Sequence, residues 1–213
     1  MSSIKTSEFS PSRLVLASAS PRRRELLEKA GAGFAVLPSE ADEHADPSIP
    51  AAELVKILSA RKAEATAALF DGLPEDLLIL AADTVVEAPD GTVLGKPADE
   101  ADAQAMLRAL SGTRHSVYSG FTLLWSGGIY TESVASGVRF RPLTDADIDG
   151  YIASGEPMGK AGSYAIQGLG GAFVEALEGD FTNVVGLPMP ALETAILKLF
   201  GKGLSDFTAP ETV

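Results

Sequence analysis

The chain has 213 residues, 46% hydrophobic and 22% charged, which suits one domain or two small lobes around an ordinary globular core. A formal net charge of −12 argues against wrapping a nucleic-acid polymer, and the lack of cysteine removes disulfides, zinc–thiolate sites and thiol nucleophiles. No run of about eighteen apolar residues is present and residues 1–12 lack the apolar centre of a signal peptide, so a soluble cytoplasmic protein with a disordered leader and no membrane contact is expected.

Residues 14–27 read LVLASASPRRRELL, and the pattern predicts a short buried strand over 14–17 followed by a helix opened by Pro21 with Ser20 as N-cap. Three arginines, Arg22, Arg23 and Arg24, then fall in the first helical turn, where the unpaired N–H groups already carry partial positive charge. Either a bound phosphate compensates them, with Ser18, Ser20 and the helix N–H groups forming the cradle, or surface carboxylates do. Arg24 is assigned to solvent.

A short strand over 34–37 leads into an acidic loop carrying Glu40, Asp42 and Glu43, which is either solvated or a source of oxygen ligands for a hard cation such as magnesium. A long helix over 50–70 follows, with Leu54, Ile57, Leu58 and Ala65 on its expected buried stripe, and Lys62 on pattern alone reads as solvated. Residues 77–86, LLILAADTVV, form the strongest strand in the chain, and Asp83 interrupts it. A carboxylate in a buried strand is costly unless paired, protonated or metal-bound, so Asp83 is the leading acid or base candidate, with an N-cap or wet edge position as the plain alternative. Because successive strand residues face opposite ways, Asp83 and Thr84 are expected to share a pocket only where the strand ends or bulges.

A turn at 89–91 and a strand over 92–94 lead to Lys96 between glycine and proline, placed either to reach a phosphate or to sit in solvent. A helix over 99–110, a hairpin of strands over 115–125 and 129–140, and a helix capped by Thr144 come next. Residues 159–171, GKAGSYAIQGLGG, lack the preceding strand and following helix of a dinucleotide fingerprint. Such dense glycine predicts positive φ or close approach to a ligand, and Gln167 there either reads a base edge or satisfies buried backbone. A strand over 172–177, a turn at 178–180, a helix over 190–200 and a loose tail over 202–213 complete the reading.

Cations for phosphates, carboxylates for a metal and an amide for a base together suggest a nucleotide site. The segments SASPRR at 18–23, ADT at 82–84, GKP at 95–97, KAGSYAIQG at 160–168 and NVVGLP at 183–188 occur in the order that resembles the Maf family of septum-formation-inhibitor-like nucleoside triphosphate pyrophosphatases. The resemblance implies a single domain over 13–201 with a mixed α/β fold, an elongated sheet flanked by helices and two lobes around a central cleft, similar to inosine triphosphate pyrophosphatases. It implies cleavage between the α and β phosphates of a nucleoside triphosphate with a divalent cation, Mg2+ or Mn2+, and Asp83 as proton acceptor. It further implies specificity positions at Arg22, Thr84 and Gln167, whose identities are similar to the branch acting on dTTP and UTP, and it carries an expected homodimer.

On that reading Ser18, Ser20, Arg23, Lys62 and Lys96 bind the phosphate chain, and Asp83 with Glu43 or Asp42 holds the metal. The competing readings are a pyrophosphatase for 7-methyl-GTP or another modified nucleotide, and a non-catalytic nucleotide-binding inhibitor of septum formation.

Overall fold

The computed structural model describes residues 9–38, 40–44, 46 and 48–211. In chain order the strands are β1 (Arg13–Leu16), β2 (Ala35–Val36), β3 (Leu77–Glu87), β4 (Val93–Leu94), β5 (Arg114–Trp125), β6 (Gly128–Phe140) and β7 (Val174–Glu178). The helices are α1 (Pro21–Lys29), α2 (Ala51–Ala67), α3 (Glu100–Leu110), α4 (Asp145–Ala153), α5 (Phe181–Val185) and α6 (Met189–Phe200), with short 3-10 turns at Ala161–Ser163 and Leu169–Phe173. The strands form one mixed seven-stranded sheet in the order β2-β1-β3-β5-β6-β7, with β4 added to the end of β3. β1 runs parallel to β2 and β3, and the other pairings are antiparallel.

Alternation along β3 divides the molecule. Leu78, Leu80 and Ala82 face a core shared with Leu27 of α1 and with Leu192 and Ile196 of α6, while Ile79 and Ala81 face Ala63 of α2. At the far end, Val86 joins Leu107 and Leu110 of α3, Phe140 of β6 and Tyr151 of α4 in a second large cluster. These two clusters are the cores of two lobes that share one continuous sheet, as the family resemblance implies. Capping follows expectation at α4, where Thr144 and Asp147 satisfy each other's backbone N–H groups.

Four expectations need correction. The tail after Gly201 is not loose over its described residues: Leu204 and Phe207 are buried, and Thr208 donates its N–H to Ser12 O at 2.9 Å. The same contact ties down the end of the expected leader, where Phe9 packs on the first core and Ser12 N–H donates to Asp76 O at 2.9 Å. Residues 1–8 of that leader, like 212–213 of the tail, lie outside the described residues. Residues 181–185 form a helix between the expected turn at 178–180 and the expected helix over 190–200, where the sequence predicts no element, because Asp180 caps the N–H of Thr182 at 2.7 Å. Finally, α2 buries Val55, Leu58, Ser59, Lys62, Ala63 and Thr66, and the expected Leu54, Ile57 and Ala65 are only partly covered.

Candidate active site

The site lies where the sheet parts. β1 accompanies β3 only to Leu80, and β4 joins the same edge of β3 only at Val86. Between them the edge of β3 has no neighbouring strand, and a cleft of about 750 Å³ opens there, at the carboxyl end of β1 and the start of α1. Asp83 and Thr84 both line it, although the register of β3 with β5 runs unbroken from Ile79 to Glu87. The strand therefore neither ends nor bulges at Asp83. An open edge lets one cavity reach both faces of the strand, which the expectation of an end or a bulge left out.

On one face, Thr84 meets Arg23 of α1. Arg23 donates Nε to Gly186 O at 2.8 Å and its two terminal nitrogens to Ser18 Oγ at 3.0 Å and Thr84 Oγ1 at 3.1 Å. All three acceptors are neutral. Among the described residues neither Arg23 nor Arg22 forms an ion pair with a carboxylate, whereas Arg24 pairs with Glu28 at 2.8 Å in solvent, as expected. Burial lowers the pKa of both cleft arginines below the ordinary guanidinium value, with Asp83 partly offsetting this at Arg23 and Tyr151 and Glu156 at Arg22. Helix α1 adds its own positive end: its first turn has no acidic residue, and Ser20 holds the N-cap position without a side-chain cap bond.

On the other face, Asp83 meets α2. Its carboxylate accepts a hydrogen bond from Lys62 Nζ, and both side chains are nearly enclosed, at 12% and 11% exposed. Lys62 is thus neither solvated nor on the outer face of its helix. Its ammonium also contacts Glu43 Oε1 at 2.8 Å, and Lys96 Nζ approaches Glu43 Oε2 at 3.4 Å. Hydrogen bonding from Lys62 holds the Glu43 carboxyl below its usual range against the opposing effect of burial. Arg61 secures the same acidic loop by donating to His44 O at 2.6 Å.

Of the residues singled out in the sequence, Ser18, Ser20, Arg22, Arg23, Glu43, Lys62, Asp83, Thr84, Lys96 and Gln167 all line this cleft. Asp42 does not: its carboxylate takes the backbone N–H of His44 at 2.9 Å and His44 Nδ1 at 2.8 Å, turned into its own loop. Gln167 is exposed at the cleft wall, so it is not a buried amide serving backbone. The sequence reading missed Glu156 and Lys160, which also line the cleft, and Ser119, whose Oγ lies 2.8 Å from Thr84 Oγ1 and donates to Asn183 O at 2.8 Å. Ser119 is opposite Thr84 in the β3–β5 register, which periodicity does not specify. Lys160 had a visible signal, a lysine at the entrance of the glycine-rich stretch. Burial lowers its pKa, and nearby Arg22 lowers it further.

Fold and site together define an α/β protein built round a cleft with unpaired guanidinium groups on one face of a strand and a lysine-bridged carboxylate pair on the other. Residues 13–199 match the family described as Maf-like protein. A curated protein of Pelotomaculum thermopropionicum, named dTTP/UTP pyrophosphatase, is 46% identical over 190 residues, covering 88% of this chain and 96% of its own. Proteins of the same name from Hahella chejuensis and Moorella thermoacetica are each 47% identical over 192 residues, covering 89% of this chain and 92% and 96% of theirs. The chain belongs to the Maf family. Among solved structures, the Ham1 protein of Staphylococcus aureus aligns with 60% of this chain and 71% of its own at a TM-score of 0.38 and 13% identity, a remote likeness. No helix among the described residues is long and apolar enough to cross a membrane.

Proposed function

We propose that this protein is a nucleoside triphosphate pyrophosphatase that hydrolyses dTTP and UTP to the monophosphate and pyrophosphate, a house-cleaning reaction of the cytoplasm. The observation that carries the reading is the cluster of Arg22 and Arg23 at an uncapped helix start, lining the same cleft as Asp83. A desolvated guanidinium held only by neutral oxygens keeps its full charge for an incoming anion, and a triphosphate supplies that anion. The names of the relatives above support the same substrates.

In this reading Ser18, Ser20 and the N–H groups of α1 orient the phosphate chain, while Arg23, Lys62 and Lys96 offset the charge gathering on the departing pyrophosphate. Asp83 takes the proton from the attacking water. The carboxylates of Asp83 and Glu43 converge on one ammonium, Lys62 Nζ, so the residues present already hold a cation between two oxygen donors. No group of three His, Asp or Glu side chains suited to a metal exists among the described residues. Asp83 and Glu43 would hold a magnesium or manganese ion there, because hard cations take carboxylate oxygens. Such an ion would supply Lewis-acid polarisation of the phosphates. Arg22, Thr84 and Gln167 flank the remaining space for the base.

The test is pyrophosphate release from dTTP, UTP, CTP and 7-methyl-GTP with Mg2+ or Mn2+. dTTP and UTP are expected to lead by about tenfold or more in kcat/KM. A preference for 7-methyl-GTP would overturn the assignment of substrate, and tight dTTP binding without pyrophosphate would make the protein a nucleotide-binding inhibitor instead.

A further inference from the structure

Gln167 lies on a short turn between two 3-10 turns, closed by the Gly168 N–H donating to Ala165 O at 3.1 Å, and this turn is held on both sides by two side chains. Tyr151, near the end of α4, accepts a hydrogen bond on its hydroxyl oxygen from the N–H of Ala165 at 3.1 Å. It donates the hydroxyl proton to Glu156 Oε1 at 2.8 Å. Glu156 then accepts from the N–H of Gly170 on Oε1 at 3.0 Å and from the N–H of Leu169 on Oε2 at 3.1 Å. The three loop N–H groups therefore lie on either side of Gln167, at 165 and at 169–170, and one tyrosine–carboxylate pair receives all of them.

Two glycines of this stretch, Gly168 and Gly170, have the same explanation. A Cβ at Gly168 would come within 2.4 Å of the Glu156 carboxylate, and one at Gly170 within 2.7 Å of the Tyr151 hydroxyl. Neither glycine has a positive φ, so the demand is for close approach to these two side chains and not for left-handed backbone. Dense glycine in the sequence thus marks two demands: Gly159 and Gly162 take the expected positive φ, at 73° and 64°, while Gly168 and Gly170 are pressed against the clamp.

We infer that Tyr151 and Glu156 are positioning residues that fix Gln167 at the cleft wall, so that recognition of the nucleobase depends on a clamp that itself contacts no base. The inference rests on the proposed function only in taking Gln167 to face a base. An exposed turn closed by a single backbone hydrogen bond has little of its own to hold its shape, and an amide side chain discriminates between base edges only when its donor and acceptor are fixed in place. Burial would raise the Glu156 pKa, but the Gly170 and Leu169 N–H groups and the Tyr151 hydroxyl outweigh it, and the carboxylate stays charged as a strong acceptor. Arg22 adds a reason for the charge, since Tyr151 and Glu156 are its main electrostatic neighbours.

The experiment measures, by calorimetry with divalent cations chelated so that no turnover occurs, the Kd of dTTP and of 2′-deoxyribose 5′-triphosphate, which has the phosphates and no base, for the wild type and for Glu156→Ala, Glu156→Gln and Tyr151→Phe. The expected result is a fall of about tenfold in the dTTP-over-abasic ratio for Glu156→Ala, the scale of one lost base contact, with a smaller fall for Glu156→Gln, which keeps one acceptor oxygen. Tyr151→Phe should lie between them. Amide exchange at Leu169 and Gly170 should quicken in step.

A ratio unchanged in the glutamine and phenylalanine variants would overturn the inference, as would an equal loss for both ligands, which marks a purely structural role. A wild type showing no preference for dTTP over the abasic compound would overturn it too. Wild-type protein that discriminates by base yet releases no pyrophosphate would refute the proposed function and leave the clamp standing.

Discussion

Asp83→Asn separates the chemistry of the cleft from its construction. The replacement keeps the shape of the side chain, and its amide oxygen can still accept from Lys62 Nζ; Lys62 also retains Glu43 at 2.8 Å, so no buried ammonium is stranded. What disappears is the charge on one acceptor, the difference between a charged and a neutral hydrogen bond, or about 1 to 2 kcal/mol. For a chain of this size that lowers Tm by about 2 to 8 °C. Loss of a general base removes about 10²- to 10⁴-fold in rate. Metal-free binding of dTTP should hold or tighten, because one negative charge has been taken from the wall facing a polyanion. Pyrophosphate release with Mg2+, calorimetry with dTTP and a thermal melt read these three quantities. Turnover within tenfold of wild type would refute Asp83 as the base. A much larger fall in Tm with loss of binding would show that the carboxylate builds the site and does not act in it.

Other substitutions test the remaining parts. Arg23→Met exchanges a buried cation, costly by several kcal/mol to desolvate, for the loss of three hydrogen bonds of about 1.5 to 3 kcal/mol each; the urea midpoint should therefore move little while the KM for dTTP rises by about 30- to 1,000-fold. Lys62→Met leaves Asp83 without a counter-ion and Glu43 with only the exposed Lys96 at 3.4 Å, which should destabilise the apo protein by about 3 kcal/mol at pH 7. Millimolar Mn2+ should raise the Tm of that variant more than that of the wild type, and an equal rise in both would count against these two carboxylates as a metal pair.

His115 is buried with Nε2 3.0 Å from the Tyr164 hydroxyl, and burial lowers its pKa from 6.5 to about 4. The unfolded chain therefore binds this proton below pH 6.5 while the folded chain does not until about pH 4, so stability falls by about 3 kcal/mol as pH drops through that window. His115→Gln, compared with wild type by urea unfolding at pH 7 and 4.5, should show a correspondingly shallower loss.

How much of this was legible depends on whether a residue breaks its local pattern. Asp83 is a charge in an apolar strand, and Arg22 and Arg23 stand at the wrong end of a helix, so each is conspicuous within a few residues of chain. Lys62 is not, because α2 buries a stripe rich in small residues, with Ala51, Ser59 and Ala63, that lets it lie close on the sheet. The larger Leu54 and Ile57 pointed to a different face, and the lysine on the true stripe read as solvated. Ser119 and Glu156 escaped for another reason: each acts on a partner fixed by strand register or loop closure, which hydropathy does not encode. Leu204 and Phe207 are buried in a polar segment too short to show a period, and so the tail read as loose.

The break in the sheet explains why these groups do not cancel one another. In open solution, or on one face of a strand, a carboxylate and a guanidinium this near would pair and leave no net charge for a ligand. Here β3 lies between them: alternation sends Thr84 to α1 and Asp83 to α2, so Arg23 bonds the hydroxyl and Lys62 takes the carboxylate. Because β1 stops at Leu16 and β4 begins at Val93, the uncovered edge exposes both faces to one cavity. A phosphate chain laid across that edge would meet positive charge on the side of α1 and a carboxylate on the side of α2. One strand, left unpaired along part of one edge, therefore supplies both the separation of charge and the access to it.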